Sequence, residues 1–193
     1  VNLKPQKLGV DLMSISSHKI HGPKGAGALY IRKGARIVPL HYGGEQERKI
    51  RPGTESLPLI CAFAEAVKAL PNIDDQHEKI EELWNYCKEK VLEIPNVYIN
   101  SPDGVLPYIL NISAVGVRSE TMLHYLAESG IYVSSGSACA KGKKSHVLTA
   151  MGLSPERIDS AIRISFSKFN TKDDIDIFAE KLAEGMKNLA KSR

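Results

Sequence analysis

Asp11-Leu-Met-Ser-Ile-Ser-Ser-His-Lys-Ile-His-Gly-Pro-Lys-Gly-Ala-Gly-Ala-Leu-Tyr-Ile31 is the stretch on which the reading of this chain turns. An apolar strand pattern, Val10 to Ile15, runs into Ser16-Ser17-His18-Lys19. A Gly22-Pro23-Lys24-Gly25 turn follows, and then a second strand pattern from Ala28 to Ile31. A lysine at the mouth of a buried strand must have its charge solvated, paired or removed. Burial lowers its pKa and frees the neutral amine as a nucleophile toward aldehydes. Lys24 is the competing amine, but its Gly-Pro-Lys-Gly setting reads as a solvated turn, and His21 reads as structural.

Ser16, Ser17 and His18 put two hydroxyls and an imidazole within three residues of Lys19, and such groups suit a phosphate ester. The combination points to a lysine that forms a Schiff base with pyridoxal 5'-phosphate (PLP) while its neighbours hold the phosphate. A second reactive candidate lies far downstream. Cys139 ends the run Ser134-Ser135-Gly136-Ser137-Ala138-Cys139 and precedes Lys141, Lys143 and Lys144. A thiol among small residues beside ammonium groups is on a loop, where positive charge favours the reactive thiolate. A chance cysteine on a solvated basic turn fits the same residues. Arg163 stands in the apolar strand pattern Ala161 to Phe166, either covering an exposed face or turned inward to pair bidentately with a carboxylate.

Five ordered segments resemble one family. They are Ser14-Ile15-Ser16-Ser17-His18-Lys19 with the glycine-rich turn after it, Tyr42 to Arg48, Arg51-Pro52-Gly53-Thr54-Glu55, Ser134 to Cys139, and Ala161 to Ser165. Together they resemble the NifS/IscS-like cysteine desulfurases of the class V aminotransferases, PLP enzymes of fold type I. The resemblance implies an α/β fold: the last strands of a large PLP-binding domain, then a compact α+β small domain. It makes Lys19 the Schiff-base lysine, Ser16 and His18 phosphate contacts, and Thr54 a residue that reaches the phosphate of a neighbouring subunit, hence a homodimer. It makes Arg163 the substrate-carboxylate residue and Cys139 the nucleophile that takes sulfur from L-cysteine as a persulfide, leaving alanine. A sulfur-acceptor protein, such as an iron–sulfur scaffold or a tRNA-thiolation enzyme, is then a partner. Family residues that contact the cofactor ring would lie before Val1, so a C-terminal portion is expected, inactive in isolation. Two other readings fit: another class V aminotransferase or lyase that needs Lys19 and Arg163 but not Cys139, and a non-catalytic dimerisation or docking domain.

Composition agrees with a folded protein. Apolar residues make up 42% of the 193 residues and charged ones 25%, enough for a sizeable core. The net charge of +4 is mild and the lysines lack aromatic interleaving, so nucleic-acid binding is not indicated. No apolar run reaches the ~20 residues that cross a bilayer, so no membrane partner is expected. Three cysteines without a CxxC pair point away from a disulfide framework or zinc site and toward the cytoplasm. The expected organisation is residues 1–55 as the end of the large domain, 56–71 as a connecting helix, and 72–193 as the small domain.

Within that frame, strands are expected at Val10–Ile15, Ala28–Ile31, Arg36–Leu40, Val97–Ile99, Ile109–Ser113, Ile131–Ser134 and Ala161–Phe166. Helices are expected at Leu57–Leu70, which reads as buried or as bridging between domains, and at Asp74–Ile94, Glu120–Ser129, His146–Met151 and Lys172–Ala190. Cys61, His77 and Cys87 read as packing residues, and Thr171 with Asp174 as a capping box.

Overall fold

Leu12–Ser16 (β1) and Gly27–Ile31 (β2) pair antiparallel, with Leu12 opposite Ile31 and Ser16 opposite Gly27. They belong to the first of two compact units in the computed structural model, which divides after Asp74 and describes residues 3–135 and 145–189. Gly27 is required by the pairing itself, because a Cβ there would lie 2.7 Å from the Ile15 carbonyl oxygen. The hairpin leads to an irregular segment and then to Leu57–Lys68 (α1), which has a proline in its first turn where the missing N–H leaves no bond unmade.

Two expectations for this unit are corrected. Residues 36–40 form no strand, and Val38 and Leu40 are exposed. Pro39 in their midst has no N–H to give to a ladder. Helix α1 forms where expected but buries no residue: Leu57, Ile60 and Val67 are exposed, as is Cys61. Apolar composition states that a helix needs a covering surface, and no described element of this unit covers that face.

The second unit is built on Val97–Ile99 (β3), Ile109–Ala114 (β4) and Ala161–Ser165 (β5), an antiparallel sheet in the order β3-β4-β5. Alternation along the strands separates two faces. Leu110, Ile112, Ile162 and Ile164 enter the apolar core, while Asn111, Ser113 and Arg163 occupy the other face. The core face is met by Ile73–Leu92 (α2), Ser119–Glu128 (α3) and Lys172–Asn188 (α6). Helix α2 contributes Ile80, Leu83, Trp84, Cys87 and Val91 at helical spacing. Its expected stripe is buried only from Ile80 onward, since Ile73 is exposed and His77 half-buried beside Glu81 at 3.9 Å. Trp84 Nε1 donates to the Ile109 carbonyl at 3.1 Å and so ties α2 to the start of β4.

Helix α6 begins in the expected capping box. The Thr171 N–H donates to Asp174 Oδ2 at 2.9 Å, and the Asp174 N–H donates to Thr171 Oγ1 at 3.4 Å. Near its other end α6 meets α3 at Gly185, where a Cβ would lie 2.7 Å from Met122 Sδ. Asp176 of α6 accepts from Tyr86 Oη at 2.8 Å and from Lys90 Nζ at 3.0 Å; these contacts hold its carboxyl below the usual range and clamp α6 to α2. Two short helices, His146–Ala150 (α4) and Pro155–Asp159 (α5), are capped by Ser145 and Ser154. The strand expected at Ile131–Ser134 is reduced to one bridge, Ser134 with Arg163, and α5 was not expected.

Cys87 is fully buried, and burial pushes its thiol up to about 12 from an ordinary 9.0. A folded-state pKa above the unfolded one means that the neutral thiol favours the fold below about pH 9, and that this contribution fades as pH rises toward 12. Denaturant midpoints should therefore fall across that window, less steeply in Cys87→Val. At pH 8 a thiol reagent should modify Cys61 in the folded protein and Cys87 only after unfolding. Equal labelling rates would contradict the buried assignment.

Candidate functional site

The turn that carries Lys19 is a single 3-10 helical turn, Ser17–Ile20, at the tip of the β1–β2 hairpin. Its ends are tied by backbone bonds: the Ser17 N–H donates to the Ala26 carbonyl at 3.1 Å, and the Gly22 N–H donates to the Ser17 carbonyl at 3.0 Å. His21 closes the turn in the left-handed region with φ 64°.

Because the chain curls here instead of continuing extended, the four residues expected to act together do not share one environment. Ser17 is buried, and its Oγ has no hydrogen-bond partner. It packs on Gly22, where a Cβ would come within 2.1 Å of that oxygen and 3.1 Å of Ala66 Cβ on α1. Ser16 is half-buried, and His18 and Lys19 are exposed. This corrects the expectation of a lysine in a buried strand mouth: β1 is itself largely exposed, and Lys19 stands on the turn beyond it. The groups at this tip fit a phosphorylated aldehyde. An accessible primary amine stands within one turn of a hydroxyl and an imidazole, while Ser17 anchors the turn from beneath.

Thr54 is exposed on the loop before α1. Gly53 precedes it at φ 120°, a conformation that favours glycine, and its N–H donates to Gln46 Oε1 at 3.2 Å. No described contact links the Thr54 side chain to the Lys19 turn. Cys139 and the lysines after it lie outside the described residues.

Arg163 belongs to the second unit, on the polar face of its sheet. Its backbone N–H donates to the Ser134 carbonyl at 2.7 Å and its carbonyl accepts from the Ser134 N–H at 3.1 Å. Its Nη2 donates to Ser134 Oγ at 3.3 Å, and its Nε is buried without a partner. The side chain is half-buried and lines an open pocket with Asn100, Ser101, Asn111, Ser145 and Leu148. Asn111 and Ser134 were not singled out from the sequence as site residues, and the packing role of Ser17 was not expected. An asparagine inside the apolar run Ile109 to Ile112 was the available signal for Asn111.

With this geometry in view, known proteins supply the context. Residues 1–178 match the Aminotransferase class-V family. The chain belongs to that family. Its members are PLP-dependent. The chain is 39% identical over 193 residues to a protein of Methanosarcina thermophila named cysteine desulfurase IscS, covering 98% of this chain and 48% of that one. A solved NifS-like protein superposes with a TM-score of 0.84 at 36% identity, covering 98% of this chain and 50% of the other. A structure of SspA in complex with cysteine superposes with a TM-score of 0.66 at 31% identity, covering 88% and 48%. The chain thus spans about half the length of the relatives it matches.

The tight packing under Lys19 makes a prediction. Gly22→Ala forces Ser17 aside at a destabilisation of roughly 1–3 kcal/mol, so PLP should bind the full-length polypeptide more weakly, as read from the cofactor's absorbance. Ser17→Ala combined with Gly22→Ala removes the colliding oxygen and should recover much of that binding. An unchanged single variant would show that the turn is not held by this contact.

Proposed function

We propose that this chain is part of a cysteine desulfurase that converts L-cysteine to L-alanine and passes the sulfur on as a persulfide. The observation that supports the reading is the hairpin tip, a tight turn in which Ser16, His18 and Lys19 follow closely in sequence, in a chain that matches desulfurases over nearly its whole length. When bound, PLP would supply the electron sink that makes the substrate's α-proton removable and its Cβ–S bond breakable.

In this reading the residues of the chain divide the work. Lys19 Nζ is the attachment point for the cofactor aldehyde and the group that moves the proton at the substrate α-carbon. Ser16 and His18 hold the phosphate, and Thr54 reaches the phosphate of a second subunit, which makes the enzyme a homodimer. Arg163 pairs with the substrate carboxylate and thereby orients the thiol. The Cys139 thiolate attacks the substrate sulfur: an S–S bond forms, the Cβ–S bond breaks, and Cβ takes up a proton to give alanine. The persulfide left on Cys139 then goes to an acceptor protein such as an iron–sulfur scaffold or a tRNA-thiolation enzyme.

The cytoplasm suits this chemistry, since a reducing compartment keeps the Cys139 thiol out of disulfides, and no described helix is long and apolar enough to cross a membrane. Exposed Leu12, Leu29 and Leu57 are surfaces that the remainder of the polypeptide would cover. On its own the segment would accordingly be inactive.

The test is alanine release from L-cysteine by the full-length polypeptide with PLP. Lys19→Ala should abolish it, and Cys139→Ala should abolish turnover while leaving PLP binding intact. Alanine release undiminished by Cys139→Ala would show that Cys139 is not the nucleophile and would replace the persulfide route with a general PLP-lyase reaction.

A further inference from the structure

Four residues lie side by side across the polar face of the second unit's sheet. Asn111 on β4 is directly opposite Arg163 on β5, and Ser134 bridges Arg163 from the other side. Asn100, just past β3, continues the row, because its N–H donates to the Asn111 carbonyl at 2.8 Å. Directly opposed residues in antiparallel strands point to the same face with Cβ atoms ~5 Å apart. Asn111 and Arg163 are therefore neighbours in the pocket that both line.

The orientation of the Asn111 amide follows from a chain of hydrogen bonds that begins outside the sheet. Arg157 on α5 donates through Nη2 to Asn100 Oδ1 at 2.5 Å and to the Ile99 carbonyl at 2.7 Å, with its guanidinium carbon 5.4 Å from the Tyr98 ring centre. A guanidinium has donors only, so Asn100 must turn its oxygen toward Arg157. Its Nδ2 then faces inward and donates to Asn111 Oδ1 and to Ser113 Oγ, both at 2.8 Å. Ser113 gives an independent check. Its own hydroxyl proton goes to the Arg157 carbonyl at 2.7 Å, so toward Asn100 it can only accept. Asn100 and Ser113 are both buried, where a reversed amide would set donor against donor at high cost. Each link agrees: Asn111 presents its oxygen to Asn100 and is left with its Nδ2 hydrogens, which no described group accepts.

Two sets of donors thus occupy adjacent positions, the Arg163 guanidinium and the Asn111 amide. Among the described residues, no aspartate or glutamate lines the pocket. Leu148 supplies an apolar wall. The polar atoms available to a ligand here are predominantly donors, which suits an anion with two acceptor oxygens.

We infer that Asn111 is a second donor to the substrate carboxylate, held in its donating orientation by the Arg157–Asn100 relay, and that it sets the preference for α-carboxylated amino acids over amines that lack the carboxylate. This rests on the reading of Arg163 as the carboxylate residue. Arg163 supplies charge, whereas Asn111 supplies a neutral donor whose direction is fixed from behind.

The experiment compares Asn111→Asp, Asn111→Ala and Arg163→Lys in the full-length PLP-loaded enzyme, with L-alanine and ethylamine as paired probes of binding read through the cofactor's absorbance. Asn111→Asp keeps the acceptor that Asn100 needs and nearly the same shape, but turns an anionic oxygen toward the carboxylate. It should weaken L-alanine binding by about tenfold to a hundredfold and leave ethylamine binding and the melting temperature nearly unchanged. Asn111→Ala should act in the same direction with a smaller effect. With L-cysteine, KM should rise while kcat stays within about threefold, since a bond made equally in the ground and transition states acts on KM alone. If Arg163→Lys weakens L-alanine binding and neither Asn111 variant does, Asn111 is structural and this inference falls alone. If none of the three moves it, the carboxylate is bound elsewhere and the reading of Arg163 falls with it.

Discussion

The antiparallel register of β4 with β5 is the constraint on which the second unit depends. A three-stranded sheet has two faces, and side-chain alternation assigns each residue to one of them. Here the register sends Leu110, Ile112, Ile162 and Ile164 into the core and Asn111, Ser113 and Arg163 to the opposite face. A slip of β5 by one residue would bury a guanidinium among apolar side chains and turn Ile162 and Ile164 out of the core. The same pairing that closes the core therefore also places an arginine and an oriented amide side by side.

That polar face is stiffened by a relay that begins at Arg157, outside the Arg163 pocket. Arg157 is held on α5, whose capping serine and first-turn proline specify a short helix, and from there it fixes Asn100. Asn100 and Ser113 are buried, so their hydrogen bonds are made in a setting where an unpaired polar atom is expensive. Around Asn100 and Ser113 the donors and acceptors match in one arrangement only. The last member of the relay, Asn111, inherits its orientation.

The first unit relies on a different device. Its hairpin tip is held by close approach between Ser17, Gly22 and Ala66, with no charged pair involved. One serine turns inward to anchor the turn while the residues on either side of it remain available. The contrast between Ser16 and Ser17 shows why a short motif does not define a site residue by residue. Both are serines next to the same lysine, and the 3-10 curl of the chain decides which hydroxyl is spent on packing.

Much of this was legible in the sequence. The PLP-family reading followed from five ordered segments, and the second unit's strands and helices from period-two and helical spacing, because side-chain periodicity is a local property of the backbone. The Thr171–Asp174 capping box was legible for the same reason: its two hydrogen bonds close within one turn. The failures were non-local. Arg36 to Leu40 had strand-like residues but no strand to pair with, and α1 had an apolar face but no described surface to cover it. Lys19 looked buried because β1 looked buried, and burial depends on what packs over a strand. By itself the sequence determined the family and most of the second unit's strands and helices. Only the tertiary structure decided that Asn111 stands beside Arg163, with 51 residues of chain between them, and which way its amide points, because strand register and hydrogen-bond polarity are set by partners distant in the chain.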